Sequence, residues 1–318
     1  MGDVILTTPL IRALVRKFPE AEVHFLTRSS YEPLLAYHPL LKAVHSWPPS
    51  RSLRKILWTG IIDLQKNLRT LALRWQFRYK YFTTFPKENY KKWKMVNFHH
   101  IVPLQHVVLR YGEALRSWGI KPEELERLEV HIPSSVEQQI RAELREKAVD
   151  KPWLAVGLGG TYATKRWPLE YYEEFLNSWG WPTILLGGVA EKELAAYLAG
   201  KLRFPVIVGA GRYSLLETAA AIKEASLLLS HDTGTAHLGA AMGTPTAVIW
   251  GNTIPQFGMT PWYVPHVNIE VSSLPCRPCS KLGFDRCPKG HHKCMRLLTP
   301  DYVARILKDF WVKQGMQA

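Results

Sequence analysis

Five short apolar runs, WLAVGLGG, TILLGG, VIVGAG, LLLSHD and TAVIWG, recur through the second half of the chain, and a stretch with helical spacing follows each of the first four. Those stretches are PLEYYEEFLNSWG, AEKELAAYLAG, SLLETAAAIKEA, in which Ser214 and Glu217 have capping-box spacing, and TGTAHLGAAMG. Such regular alternation predicts an α/β fold with a parallel sheet and helices on both faces. The first half is less regular. AEVHFLT and KILWTGIIDLQ read as strands, HVVLRYGEALRSWGI as a helix stopping at Gly119, and VEQQIRAELREKAV as a polar helix. PDYVARILKDFWVKQ reads as a terminal helix. A chain of 318 residues suits two domains of roughly 150 residues each. The boundary is expected near 150, where DKPWLAVGLGG opens the second series of strands.

Charge narrows the partners. With 41 Lys and Arg against 27 Asp and Glu, the net charge is +14, a field that attracts polyanions without saying which kind. No uninterrupted apolar run approaches the roughly 20 residues of a membrane span. The N-terminus lacks the order of a secretory signal, so a cytoplasmic location is the default expectation. All four cysteines fall between Cys276 and Cys294, too local to form a framework for the whole chain.

Two segments carry the features of a phosphate site. In LLLSHDTGTAHLGAAMGTP an apolar strand stops at Asp232, and Thr233, Gly234 and Thr235 open a helix that Gly243 and Pro245 close. Amides at such a helix start, unobstructed at Gly234, suit a phosphate or diphosphate; an ordinary capped turn is the alternative. His237, one turn into the helix, is either packed in the core or turned to the ligand. In GLGGTYATKRWP a glycine-rich loop brings Thr161 and Thr164 before Lys165 and Arg166, either a phosphate clamp or a solvated basic loop. The cysteines read Cys276-x2-Cys279-x7-Cys287-x6-Cys294. Four thiolates so spaced could hold a structural zinc; reduced thiols or a local disulfide are the alternatives.

GDVILTTPLIRAL, IIDLQKNLRT, TKRWP, HDTGTAHLGAAMGTP and the cysteine-rich tail together resemble the ADP-heptose:lipopolysaccharide heptosyltransferases, glycosyltransferase family 9, in the family's order from residue 2 almost to the end. The resemblance implies a GT-B fold, two Rossmann-like domains facing across a cleft: 1–150 binding the acceptor, 151–295 binding the nucleotide sugar, and a C-terminal helix in 296–318 packing back toward the N-terminal domain. It implies inverting, metal-independent transfer from ADP-heptose to the lipid A-Kdo inner core of lipopolysaccharide or a heptosyl extension of it. Asp3 would be the general base, with Lys165 and the Thr233–Thr235 helix start neutralising the leaving diphosphate. Thr161, Thr164, Glu191, Asp232 and His237 would complete the donor site, with Asp232 contacting the sugar or orienting the loop. Thr8, Lys66 and Arg69 would meet the anionic acceptor.

Family members place a β-strand before the GD turn, where this sequence begins, so the first strand of the N-terminal domain is expected to be missing. A catalytically impaired nucleotide-sugar-binding homologue is therefore a second reading, and a basic nucleic-acid-binding protein a third, which no recognisable nucleic-acid module supports. A monomer with no required cofactor, peripheral at the inner face of the cytoplasmic membrane, is expected. The basic, aromatic stretch from Lys66 to Lys94 would seat it there; a solvated helix face with its aromatics in the core is the alternative.

Overall fold

The computed structural model describes residues 1–148 and 152–315. The expected boundary between residues 150 and 151 lies outside them. The chain forms two compact units: residues 3–89 and 105–131 make the first, and residues 90–104 with the described residues from 132 onward make the second.

The first unit opens with two helices, α1 (Gly2–Ile5), which contains the GD pair, and α2 (Thr8–Lys17). Next come β1 (His24–Thr27), β2 (Ala43–Ser46), α3 (Arg51–Lys55), β3 (Leu57–Asp63), α4 (Leu68–Arg74) and β4 (Arg78–Thr84). β1 pairs with β2 and β3 with β4, both parallel, and among the described residues no strand joins the two pairs. Side chains occupy the join instead: His24 stacks on His45 and meets Trp58 edge-on, ring centres 5.0 Å apart. Gly60 is a requirement of β3, because a Cβ there would lie 2.1 Å from the Trp118 ring. The segment from Lys66 to Lys94 is not one solvated helix. It builds α4, β4 and part of α5 (Asn89–Phe98), and Trp75 is 85% exposed rather than in the core. α6 (Val107–Gly112) follows and runs into a 3-10 turn that ends at Gly119.

The second unit contains α7 (Ser134–Lys147), β5 (Leu154–Gly157), α8 (Leu169–Trp179), β6 (Thr183–Leu186), α9 (Lys192–Ala199), β7 (Val206–Val208) and α10 (Leu215–Glu224). It continues through β8 (Leu227–His231), α11 (Gly234–Met242), β9 (Thr246–Trp250), β10 (His266–Glu270), α12 (Lys293–Arg296) and α13 (Pro300–Lys313). Ser214 and Glu217 form the expected capping box on α10. The sheet is parallel in the order β10-β9-β8-β5-β6-β7, with Leu154 level with both Thr183 and Leu227. Every residue of β5, β6, β8 and β9 is buried, which is why these strands read as unbroken apolar runs. Helix α13 packs on α8 and β10. Its Val303, Leu307, Phe310 and Trp311 form an apolar stripe in one core with Trp167, Tyr172 and Phe175. No helix among the described residues is long and apolar enough to cross a membrane.

Candidate active site

The sheet order fixes where the second unit can hold a ligand. From β5 the chain moves outward through β6 and β7 on one side, then returns to β8 on the other. The order reverses between β5 and β8, and the carboxyl ends of strands at such a switch point border an open crevice. Both phosphate-site segments start there: GLGGTYATKRWP leaves β5, and HDTGTAH leaves β8.

Lys165 and Asp232 join the two segments. The Lys165 ammonium donates to the Asp232 carboxylate at 2.6 Å and to the Asp232 carbonyl at 2.9 Å, and both side chains are mostly buried. The Thr253 hydroxyl donates to the same carboxylate oxygen at 2.7 Å. An ammonium has three donors; Asp232 takes two and fixes the direction of the third. Thr233, the N-cap residue of α11, makes no side-chain cap hydrogen bond. Glu191 lies nearby on the same edge. Its carboxylate accepts from the Gly188 amide at 2.9 Å and stands 3.8 Å from Arg166. Gly187 makes room for it, since a Cβ at that position would come within 2.7 Å of the Glu191 Cβ. Thr161 is exposed on the loop, and His237 is buried on α11.

His231, which the sequence reading passed over, braces the loop. Its Nδ1 donates to the Gly159 carbonyl at 3.2 Å, while Nε2 accepts from the Trp167 amide at 3.0 Å and the Tyr172 hydroxyl at 2.9 Å. These contacts fit a neutral ring, and burial pushes its pKa down to about 4. The only local signal was its place immediately before Asp232.

Two expected ligand contacts are corrected. Thr164 is buried, and its hydroxyl is committed to Asn252 at 3.1 Å and to the backbone of Phe284, accepting its amide at 2.8 Å. It ties the loop to the cysteine-rich segment. Thr8 is fully buried, donating to the Ile5 carbonyl at 2.8 Å and accepting from the Glu129 amide at 2.9 Å. It is a brace of the first unit, not an acceptor contact.

The other candidates of the first unit are open to solvent. Asp3 is exposed on α1, and its charge adds to burial in raising the Tyr111 phenol. Lys66, with a left-handed φ of 46°, donates from its ammonium to the Phe85 carbonyl at 3.1 Å. Its amide and that of Gln65 both donate to Asp63. Arg69 is exposed in the first turn of α4.

Zinc at the cysteines finds no support among the described residues, where no three of these thiols and their neighbours bring ligand atoms together. All four cysteines are free thiols, which also removes the local disulfide, and Cys276 approaches His291 only to 3.9 Å. Arg277, another residue the sequence reading missed, holds the segment. Buried, it donates to the carbonyls of Gly251, Val271 and Thr253 and to Glu270 at 2.7 Å. One group among the described residues brings three ligand atoms within 4.8 Å of one another: His38, Glu129 and His131. Its chemistry suits an ion pair better than a metal. Arg12 grips both Glu129 oxygens, and His38 Nδ1 accepts the Leu40 amide at 3.3 Å, leaving the proton of a neutral ring on Nε2. Burial raises the Glu129 pKa, but Arg12 and His131 outweigh it and hold the carboxyl below its ordinary value.

This geometry can be set beside known proteins. The family model of glycosyltransferase family 9 (heptosyltransferase) matches residues 49–285. The chain belongs to glycosyltransferase family 9. It is 26% identical over 313 residues to lipopolysaccharide heptosyltransferase 1 of Pseudomonas aeruginosa, covering 88% of this chain and 84% of that protein. Among solved structures it resembles a family 9 glycosyltransferase from Veillonella parvula, with TM-score 0.80 and 19% identity over 98% of this chain and 94% of the other. It also resembles the E. coli ADP-heptose lipopolysaccharide heptosyltransferase II, with TM-score 0.76 and 17% identity over 99% and 96%. This family 9 member therefore has the α/β, GT-B fold of its relatives.

Proposed function

We propose that this chain is an inverting, metal-independent heptosyltransferase, taking heptose from ADP-heptose and adding it to the inner core of a lipopolysaccharide precursor. The observation that carries the reading is Lys165, held by Asp232 at the carboxyl ends of β5 and β8, beside a helix start with no side-chain cap. In the proposed reaction the acceptor oxygen bonds to the anomeric carbon as the carbon–oxygen bond to the diphosphate breaks, and ADP leaves with the electron pair. Asp3 accepts the acceptor's hydroxyl proton. The remaining Lys165 N–H and the first amides of α11 absorb the negative charge growing on the leaving group.

Glu191 suits the ribose hydroxyls as an acceptor of their hydrogen bonds, and Thr161 is an exposed hydroxyl on the donor loop. Lys66 and Arg69 are exposed cations suited to an anionic acceptor. One chain supplies every residue named, so the working unit is proposed to be a monomer, acting peripherally at the inner face of the cytoplasmic membrane. The impaired-homologue reading draws on one observation: Asp3 stands on the four-residue α1 rather than at the end of a strand.

Incubation of the chain with ADP-heptose and a lipid A-Kdo acceptor, read by ADP release against a panel of other nucleotide sugars, tests both. ADP release with ADP-heptose alone is expected. Tight ADP binding without release from any donor would establish the impaired homologue, and failure to bind ADP would sink both readings.

A further inference from the structure

The chain bends after β9, and the bend Gly251–Asn252–Thr253 is held on two sides. On one side its three successive carbonyls all accept hydrogen bonds from residues 277–279: Gly251 from Arg277 Nε at 2.6 Å, Asn252 from the Cys279 amide at 3.2 Å, and Thr253 from Arg277 Nη2 at 2.8 Å. Glu270 and the Val271 carbonyl take further Arg277 donors, so the guanidinium is anchored at the end of β10 while it grips the bend. On the other side the bend meets the donor loop and Asp232. Asn252 Oδ1 accepts from the Thr164 hydroxyl at 3.1 Å, and Thr253 donates to the Asp232 carboxylate oxygen that also receives Lys165. Gly251 passes so close to the donor loop that a Cβ there would stand 2.4 Å from the Thr164 carbonyl oxygen. Asn252, Thr253 and Arg277 are all buried. Burying a guanidinium is costly unless its donors are satisfied. Here two of its acceptors are the carbonyls on either side of Asn252, so the charge holds a bend that itself holds the donor site.

We propose that Thr253 and Arg277 are positioning residues of the donor site, forming an arm through which residues 277–279 fix the direction of the Lys165 ammonium. Neither need touch the diphosphate. Two donors converge on one Asp232 oxygen, Lys165 at 2.6 Å and Thr253 at 2.7 Å. The hydroxyl fixes the rotation of the carboxylate, and the carboxylate in turn fixes the ammonium. Without the hydroxyl, Asp232 keeps its charge and its pair with Lys165 but is free to turn about its side-chain bonds, and the ammonium turns with it. A preorganised donor stabilises developing charge because nothing has to reorient as the bond breaks. The arm therefore matters most where the diphosphate is most negative. A sugar-linked diphosphate lacks the charge that ADP gains on leaving, so the effect falls on the transition state and on bound ADP more than on bound ADP-heptose. The inference rests on the transferase reading for that last step, whereas the hold of the arm on a diphosphate is read with ADP alone.

Thr253→Val keeps the shape of the side chain and removes its hydroxyl, and Thr253→Ser restores the donor. The full chain and both variants are compared by titration calorimetry with ADP and by steady-state transfer from ADP-heptose to a lipid A-Kdo acceptor. The valine variant is expected to lose about five- to tenfold in both ADP affinity and kcat, while KM for ADP-heptose changes by less than about twofold. The serine variant is expected to keep both quantities within about twofold of the parent, because its hydroxyl still reaches Asp232. Arg277→Lys keeps a charge but not the fixed fork that spans two carbonyls. It is expected to lower the same two quantities, and T253V/R277K to add no comparable second loss, since both residues act through Asp232. Should the lysine variant fail to fold, the two Thr253 variants carry the test. Equal losses in the valine and serine variants would overturn the proposal, as would a valine variant whose loss lies in KM alone. Fully additive losses in the double variant would remove Arg277 from the arm. A valine variant that matches a heptose-transferring parent would overturn the arm and leave the transferase reading standing. ADP affinity that depends on the Thr253 hydroxyl, in a chain that releases no ADP from any nucleotide sugar, would sink the transferase reading and leave the arm standing. A parent chain that does not bind ADP would overturn both.

Discussion

The two units use the same strand type and end differently. In the second, six parallel strands form one sheet, and every residue of β5, β6, β8 and β9 is buried. In the first, four parallel strands form two separate pairs, and no residue of β1 to β4 is fully buried. A strand paired on both sides and covered on both faces gives its carboxyl end a fixed position, so Lys165, Glu191 and Asp232 are set by a rigid frame. Asp3 stands on the four-residue α1. Donor binding is therefore expected to belong to the sheet of the second unit, and turnover to depend on a residue of the first.

Asp3→Asn is the sharpest way to break that division. It is expected to lower ADP release by roughly 10²- to 10⁴-fold, the range of a lost general base, with ADP affinity unchanged by titration calorimetry. Comparable turnover in mutant and parent would remove Asp3 from the chemistry. Next in size is Arg277→Leu, which strips a buried guanidinium from three carbonyls and Glu270. A loss of about 3 to 5 kcal/mol is expected, seen by hydrogen exchange in the second unit while the first keeps its protection.

Acidification gives the third test. The folded His231 titrates at about 4 against an ordinary 6.5, so the unfolded chain takes up the proton first. Its contribution to stability is complete above pH 6.5, declines as pH falls toward 4, and does not decline further below that. About 3 kcal/mol is at stake, and His231→Gln should flatten this part of the pH profile of unfolding. An unchanged profile would mean the ring is not held neutral. The smallest effect expected is from Gly60→Ala, whose methyl meets the Trp118 ring. It should cost about 1 to 3 kcal/mol, with faster hydrogen exchange confined to the first unit and no change in ADP affinity.

Much of the second unit was legible because its signals are local. Apolar runs, the Ser214 and Glu217 cap and the small residues opening α11 each lie within a few positions of one another, and the structure places them as the sequence implies. What was not legible depends on residues far apart. Nothing near Thr8 or Thr164 announces that their hydroxyls are taken by Glu129 and Phe284, 121 and 120 positions away. His231 likewise serves partners 59 to 72 positions distant. The cysteine spacing suggested a metal, whereas the segment is held by Arg277, whose guanidinium reaches three loop carbonyls that no motif marks. The stretch from Lys66 to Lys94 misled in the opposite sense. Its aromatics suggested a core, but a two-stranded pair has too little cover to bury them, and Trp75 and Tyr81 remain exposed.

Titration calorimetry of ADP into the parent chain and into Lys165→Ala tests most directly whether the switch point of the second sheet is a diphosphate site. Binding to the parent is expected, with a loss of about 1.5 to 3 kcal/mol in the variant, as for a charged hydrogen bond removed. Equal affinity in the two proteins would contradict it.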